Sequence, residues 1–134
     1  MRPSESAYPA DWLDAADRDL DRVTRSLRDA DVEAAAFFLQ QAVEKYLKTF
    51  LLAKGTRLRR VHDLEALLDD AVAFDASLES FRSLCQTASE YYIPVRYPMR
   101  GTPSPQETDV RAALAGAQAL AQLVRTALPP AAPP

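Results

Sequence analysis

Histidine and cysteine are almost absent from this chain. Among 134 residues there is one of each, His62 and Cys85. One thiol excludes an intrachain disulfide and a thiolate zinc cage, and one imidazole leaves too few donors for another kind of zinc site. No metal and no other cofactor is expected. Cys85 itself reads as a small buried hydrophobe, which fits a reducing interior. Glycine is scarce too, at three residues. No stretch alternates polar with apolar side chains over a strand's length, which argues against a sheet. Long uninterrupted apolar runs are also missing. The most apolar stretch is broken by Gln, Glu and Lys and is too polar to cross a bilayer. The opening MRPSESAYPADW has no apolar segment of the kind a secretory leader needs. The expected setting is cytoplasmic, with no membrane contact. Net charge is only −3, so no global basic field marks nucleic acid as the partner.

What is present is helical periodicity from end to end. The length suits one domain, which at this size hides roughly two-thirds of its unfolded surface. Asp11 reads as an N-cap, followed by Leu13, Ala16, Leu20, Val23 and Leu27 at steps of three and four. Asp31 caps a second helix running to about Lys54, where Gly55 supplies a left-handed stop. Leu64, Leu67, Leu68, Ala71 and Val72 mark a short third helix. A fourth carries Leu78, Phe81, Cys85, Ala88 and Tyr92 and is ended by Pro94. Ser104-Pro105-Gln106-Glu107 has the form of a cap, a proline at the first helical position and an acid after it. The fifth helix turns Val110, Ala113, Leu114, Ala117, Leu120 and Val124 inward. Gly116 inside it costs about 1 kcal/mol against alanine, which suggests that a neighbouring backbone comes close. The expected fold is all-α, a five-helix up-and-down antiparallel bundle. It spans residues 11–128, with an N-terminal extension at 1–10 and a disordered Pro/Ala tail at 129–134.

The second helix poses the functional question. Its sequence, AAAFFLQQAVEKYLKTFLLAKG, has an apolar face of Ala35, Leu39, Ala42, Val43, Tyr46, Leu47 and Phe50. A second stripe holds Phe37, Gln41, Glu44 and Lys48. Glu44 and Lys48 form an i,i+4 ion pair, which on an exposed surface contributes only a few tenths of a kcal/mol. Phe38, Leu51 and Leu52 extend the apolar surface beyond one stripe. A helix that is apolar most of the way round is central, or is covered by a second chain. The polar ladder is then expected to border a cleft or an interface.

Charge is also segregated along the chain. Lys45 to His62 holds six basic residues and no acid, and Asp63 to Glu79 holds six acids and no base. Solvated loop arginines account for this simply. Arg96, Tyr97 and Arg100 on a proline-held segment add a second basic cluster with an aromatic neighbour, a combination that can hold a phosphate and stack a base.

Three blocks taken in order, Gln40 to Lys48 (QQAVEKYLK), His62 to Leu68 (HDLEALL) and Tyr92 to Pro98 (YIPVRYP), resemble those of the HEPN domain family. The family name stands for higher eukaryotes and prokaryotes nucleotide-binding. The likeness covers about residues 11 to 126. It implies a five-helix bundle, usually a homodimer, and often the partner of a minimal nucleotidyltransferase in a toxin–antitoxin-like pair. Some members are metal-independent RNases that use an Arg, a short spacer and a His at a dimer cleft.

Two readings of function follow from the residues and this resemblance. In the preferred one the chain is a nucleotide- or partner-binding homodimer. Its cleft is bordered by Lys48, Glu44, Gln41, Arg96 and Tyr97, with Glu44 neutralising and orienting Lys48. In the alternative, Arg57 and His62 are the catalytic pair of an endoribonuclease. His62 would move a proton at a ribose hydroxyl, and Arg57 would stabilise the phosphorane charge. The resemblance places the RNase motif later in the chain, where this sequence has Arg96-Tyr97-Pro98 and no histidine. His62 is therefore read first as a cap for the third helix. A non-catalytic scaffold is the third possibility.

Overall fold

The computed structural model describes residues 5–92 and 104–129. Among the described residues five α-helices are delimited: α1 (Pro9–Arg28), α2 (Val32–Ala53), α3 (Leu64–Val72), α4 (Arg82–Ser89) and α5 (Glu107–Ala127). A 3₁₀ segment, Ala76–Phe81, leads into α4. No strand occurs among the described residues. The all-α bundle expected from periodicity is what forms.

Helix α2 is the centre of the bundle and packs on α1, α3, α4 and α5, most extensively on α1. Its expected apolar face, Ala35 to Phe50, is buried to within 1% of its surface. Each large side chain on that face stabilises the fold by about 1.5–3 kcal/mol through burial. Because four neighbours cover α2, its apolar girth is explained within one chain and does not call for a second. Asp31 caps α2 by accepting from the Ala34 amide at 3.1 Å. Gly55, at φ +82°, follows its last turn, as a C-terminal stop should. Ala30, at φ 58°, turns the chain between α1 and α2. Contacts of Asp19 with Lys45 and of Trp12 with Lys48 show the two helices running antiparallel.

Several boundaries differ from expectation. Helix α1 begins at Pro9, not after Asp11. The fixed φ of proline and its missing N–H suit a first helical position. Asp11 sits in the first turn, where it accepts from the Ser6 hydroxyl at 2.6 Å. Helix α5 begins at Glu107 with Gln106 in the cap position and no side-chain cap; Ser104 and Pro105 lie before it. The fourth helix is split. The 3₁₀ segment advances about 120° per residue and the α-helix about 100°, so one register cannot run through Phe81. The inner positions are Leu78, Leu84, Cys85, Ala88 and Tyr91, while Phe81 and Tyr92 are half-buried. Gly116 faces the Leu84 side chain, not a backbone. A Cβ built there would lie 3.5 Å from Leu84 Cδ1, an ordinary contact. Pro94, Arg96, Tyr97, Arg100 and the tail from residue 130 lie outside the described residues.

Candidate functional site

Three successive residues of α2 point about 100° apart, and each finds a different partner. Lys45 reaches across to Asp19 of α1, a buried acid that also accepts from Arg22 at 2.7 Å. Tyr46, wholly buried, donates its hydroxyl to Asp17 at 2.6 Å, and Asp17 also pairs with Arg125 of α5. Burial, and the Asp17 carboxylate beside it, push the Tyr46 phenol above its ordinary range and keep it un-ionised. These two clusters tie α1, α2 and α5 together.

The third rung, Glu44, is the centre of the candidate site. Its side chain is only 8% exposed. A buried carboxylate needs donors, and this one has three. Gln40 Nε2 lies at 3.3 Å, Lys48 Nζ at 3.1 Å, and Nδ1 of His62 at 3.1 and 3.2 Å from the two oxygens. A carboxylate can only accept, so Nδ1 of His62 carries the hydrogen and donates it. Gln41 donates in turn to Gln40 Oε1 at 2.6 Å. Lys48 is 5% exposed, and its ammonium sits 5.5 Å from the centre of the Trp12 ring, where a cation is attracted to the π face.

The expected roles of Glu44 and Lys48 are thereby exchanged. Lys48 is enclosed and neutralises Glu44; Glu44 orients His62. Nor does His62 cap α3, because Asp63 does so by accepting from the Glu65 and Ala66 amides. The carboxylate of Asp63 outcompetes a ring nitrogen for those amides, and the ring is engaged by Glu44.

His62 itself is 62% exposed. Its ring stacks on Tyr92, with centroids 5.9 Å apart and planes 18° from parallel. Nε2, on the far side of the ring from Glu44, has no hydrogen-bond partner among the described residues. Gln40, His62, Asp63, Ser89 and Tyr92 line a cavity of about 320 Å³. A larger groove of about 950 Å³ between α4 and α5 has Glu90 and Asp109 in its described wall and no base there, the wrong sign for a phosphate. Arg57 is exposed, with no hydrogen bond or ion pair to a described residue, and Arg59 is paired with Asp70. Among the described residues no group of three or more potential metal ligands occurs, and no helix is long and apolar enough to cross a membrane.

Of the residues expected at the site, the structure gathers Gln41, Glu44, Lys48 and His62 into one network, with Gln40 as a link. Arg57 has no hydrogen bond or ion pair to its described members, and Arg96 and Tyr97 lie outside the described residues. Sequence reading missed Trp12 and the Tyr92 stack. The HDLEALL block contained the histidine, but nothing local indicated that it reaches back 18 residues to Glu44.

Comparison with known proteins gives a consistent picture. The HEPN domain model matches residues 9–127. The crystal structure of TT1696 from Thermus thermophilus is similar at 31% identity, covering 90% of this chain and 98% of that one, with a TM-score of 0.78. That of ST0689, an archaeal HEPN homologue, is similar at 26% identity over 89% of this chain and 96% of the other, with a TM-score of 0.71. No curated protein matches the chain.

Proposed function

The chain belongs to the HEPN domain family, and from that membership we propose that it is a nucleotide-binding module centred on His62 and Tyr92. It works as a homodimer and as the HEPN partner of a minimal nucleotidyltransferase. The observation that carries this reading is the exposed His62 ring, aimed by a buried carboxylate and stacked on Tyr92 at the mouth of a cavity. An ordinary surface histidine does not need a buried carboxylate, held by two further donors, behind it. An aromatic face beside a hydrogen-bonding nitrogen suits a nucleobase or a ribose. Arg96 and Tyr97, in the following block, supply the phosphate contact and a second aromatic surface, and Gln41 belongs to the polar edge.

Isothermal calorimetry with nucleoside monophosphates and triphosphates tests the proposal. His62→Ala should weaken binding at least tenfold, and Arg96→Ala should weaken triphosphates most, with helicity unchanged in both. Absence of binding by folded wild-type dimer would remove the reading and leave a scaffold.

The Glu44–His62 pair favours one second reading, a metal-independent endoribonuclease. A histidine with Nδ1–H held by a carboxylate and Nε2 open is arranged for proton transfer. Arg57, exposed and unpaired among the described residues, or Arg96, would stabilise the phosphorane. Cleavage of RNA in the presence of chelator by wild type, lost in His62→Ala, would establish it.

A further inference from the structure

We propose that Lys48, itself shielded from any ligand, sets the state of His62 through Glu44, so that the ring meets the cavity as a neutral imidazole whose Nε2 accepts a hydrogen bond. A lone buried carboxylate beside an imidazole draws a proton onto the ring, because the ion pair lowers the cost of the buried negative charge. Glu44 is not alone. Lys48 lies on its Oε2 at 3.1 Å and Gln40 on its Oε1 at 3.3 Å. The charges of Glu44 and Lys48 already cancel, and a second proton on the ring would leave the cluster with a net positive charge. One Nδ1–H donated to Glu44 satisfies the carboxylate without it.

The other described groups around the ring do not change that balance. From the cap of α3, Asp63 faces the same cavity, but it is exposed and one of its oxygens is held by two backbone amides. Tyr92, after α4, presents an uncharged ring in the stack, and Ser89 of α4 is neutral. Trp12 closes over the ammonium of Lys48, which keeps it from reaching past Glu44.

The consequence concerns the ligand. An unprotonated Nε2 accepts, so it recognises a donor: a ribose hydroxyl or an N–H of a base. An ionised phosphate oxygen, which only accepts, gains no hydrogen bond from that nitrogen. The cavity wall agrees, since Asp63, an anion, is the one residue besides His62 among its described members that can carry a charge. This part rests on the nucleotide-binding reading. It orients the nucleotide with its nucleoside end at His62 and its phosphates outside the described cavity.

The chain has one histidine, so long-range ¹H–¹⁵N correlation spectra report its ring without ambiguity. Wild type should show Nδ1 protonated and Nε2 bare above the ring's titration. Lys48→Met, which keeps the apolar stem, should move the titration midpoint upward by about one pH unit or more. The double variant Glu44→Gln/Lys48→Met, with both charges gone, should return it to near the wild-type position. A wild-type ring protonated at Nε2 overturns the proposal. So does a midpoint that does not move in Lys48→Met, or one that moves equally in the double variant. If Lys48→Met does not fold, the wild-type tautomer and the double variant still decide. Calorimetry with adenosine, guanosine and inorganic phosphate tests the ligand. Loss of nucleoside but not phosphate binding in His62→Ala supports the orientation, and the reverse refutes it. Failure of all three to bind, with the tautomer as stated, removes only the nucleotide reading.

Discussion

Replacing Lys48 by methionine is also the sharpest test of how the fold is held together. In the native protein the ammonium and its carboxylate are 5% and 8% exposed. An exposed pair of this spacing would contribute about 0.3–0.5 kcal/mol, and its removal would be hard to measure. Removing one member of a buried pair strands the other, at about 3–5 kcal/mol. Glu44 retains Gln40 and His62 as donors, so the lower end applies, about 3 kcal/mol. Against a total of about 5–15 kcal/mol for a domain, that is a large fraction. The double variant Glu44→Gln/Lys48→Met removes both charges and keeps the shape, and should recover to within about 1 kcal/mol of wild type. Urea unfolding followed by far-ultraviolet circular dichroism measures both. The single tryptophan, Trp12, lies against the Lys48 ammonium and gives an independent fluorescence probe. A coupling energy of at least about 2 kcal/mol is expected from the cycle. A single variant that loses less than about 1 kcal/mol, or single effects that simply add, would show that the pair is solvated and that Glu44 is not held as described.

Other perturbations follow from the same geometry. Tyr46→Phe removes a buried hydroxyl bonded to Asp17 at 2.6 Å and should lower stability by about 1.5 kcal/mol in urea unfolding, since Asp17 keeps Arg125. Gly116→Ala should be neutral or raise the melting temperature, because the nearest atoms to the new Cβ belong to Leu84 and lie at ordinary contact distance while helix propensity improves by up to about 1 kcal/mol. Gly55→Ala should do the opposite despite the open space around it, because φ is +82° there. The Cys85 thiol, pushed up to about 12 by burial, should resist a thiol-reactive dye at about pH 8 until the protein unfolds; prompt labelling of native protein would contradict that burial.

Features governed by local chemistry were legible in the chain. The caps at Asp31 and Gly55, the apolar face of α2 and the inward positions of α5 each depend on residues within a turn or two of one another. Tyr91 and Tyr92 exchanged places because α4 ends at Ser89 and the chain tightens into i→i−3 turns, the Tyr91 amide donating to the Ala88 carbonyl at 3.1 Å, which sets Tyr91 over Ala88; hydrophobic spacing alone does not reveal that. Asp19 lay hidden for a different reason. An acid in the charge-rich stretch from Asp14 to Arg22 reads as solvent-facing until a lysine from another helix is seen to meet it. The Glu44–Lys48 pair was visible as a spacing, but its burial comes from Trp12 of α1 and His62 of the following loop. Neither is near it in sequence.

The polar ladder on a central helix can be understood as a device that fixes rotation. Apolar packing alone tolerates small turns of a helix about its axis, since one leucine can replace another in a loose core. Glu44, Lys45 and Tyr46 do not allow this. A turn of one residue, about 100°, would take Glu44 from His62, Lys45 from Asp19 and Tyr46 from Asp17 at once, leaving several buried polar groups without partners. Each such group costs about 1–3 kcal/mol. The three rungs therefore select one orientation of α2 out of many that would bury similar apolar area. The direction of the His62 ring is set by that orientation, through Glu44. The most exposed member of the site takes its aim from the most enclosed helix of the fold, and a change at Asp19 or Asp17, on a different helix, can disturb a nitrogen that neither residue touches.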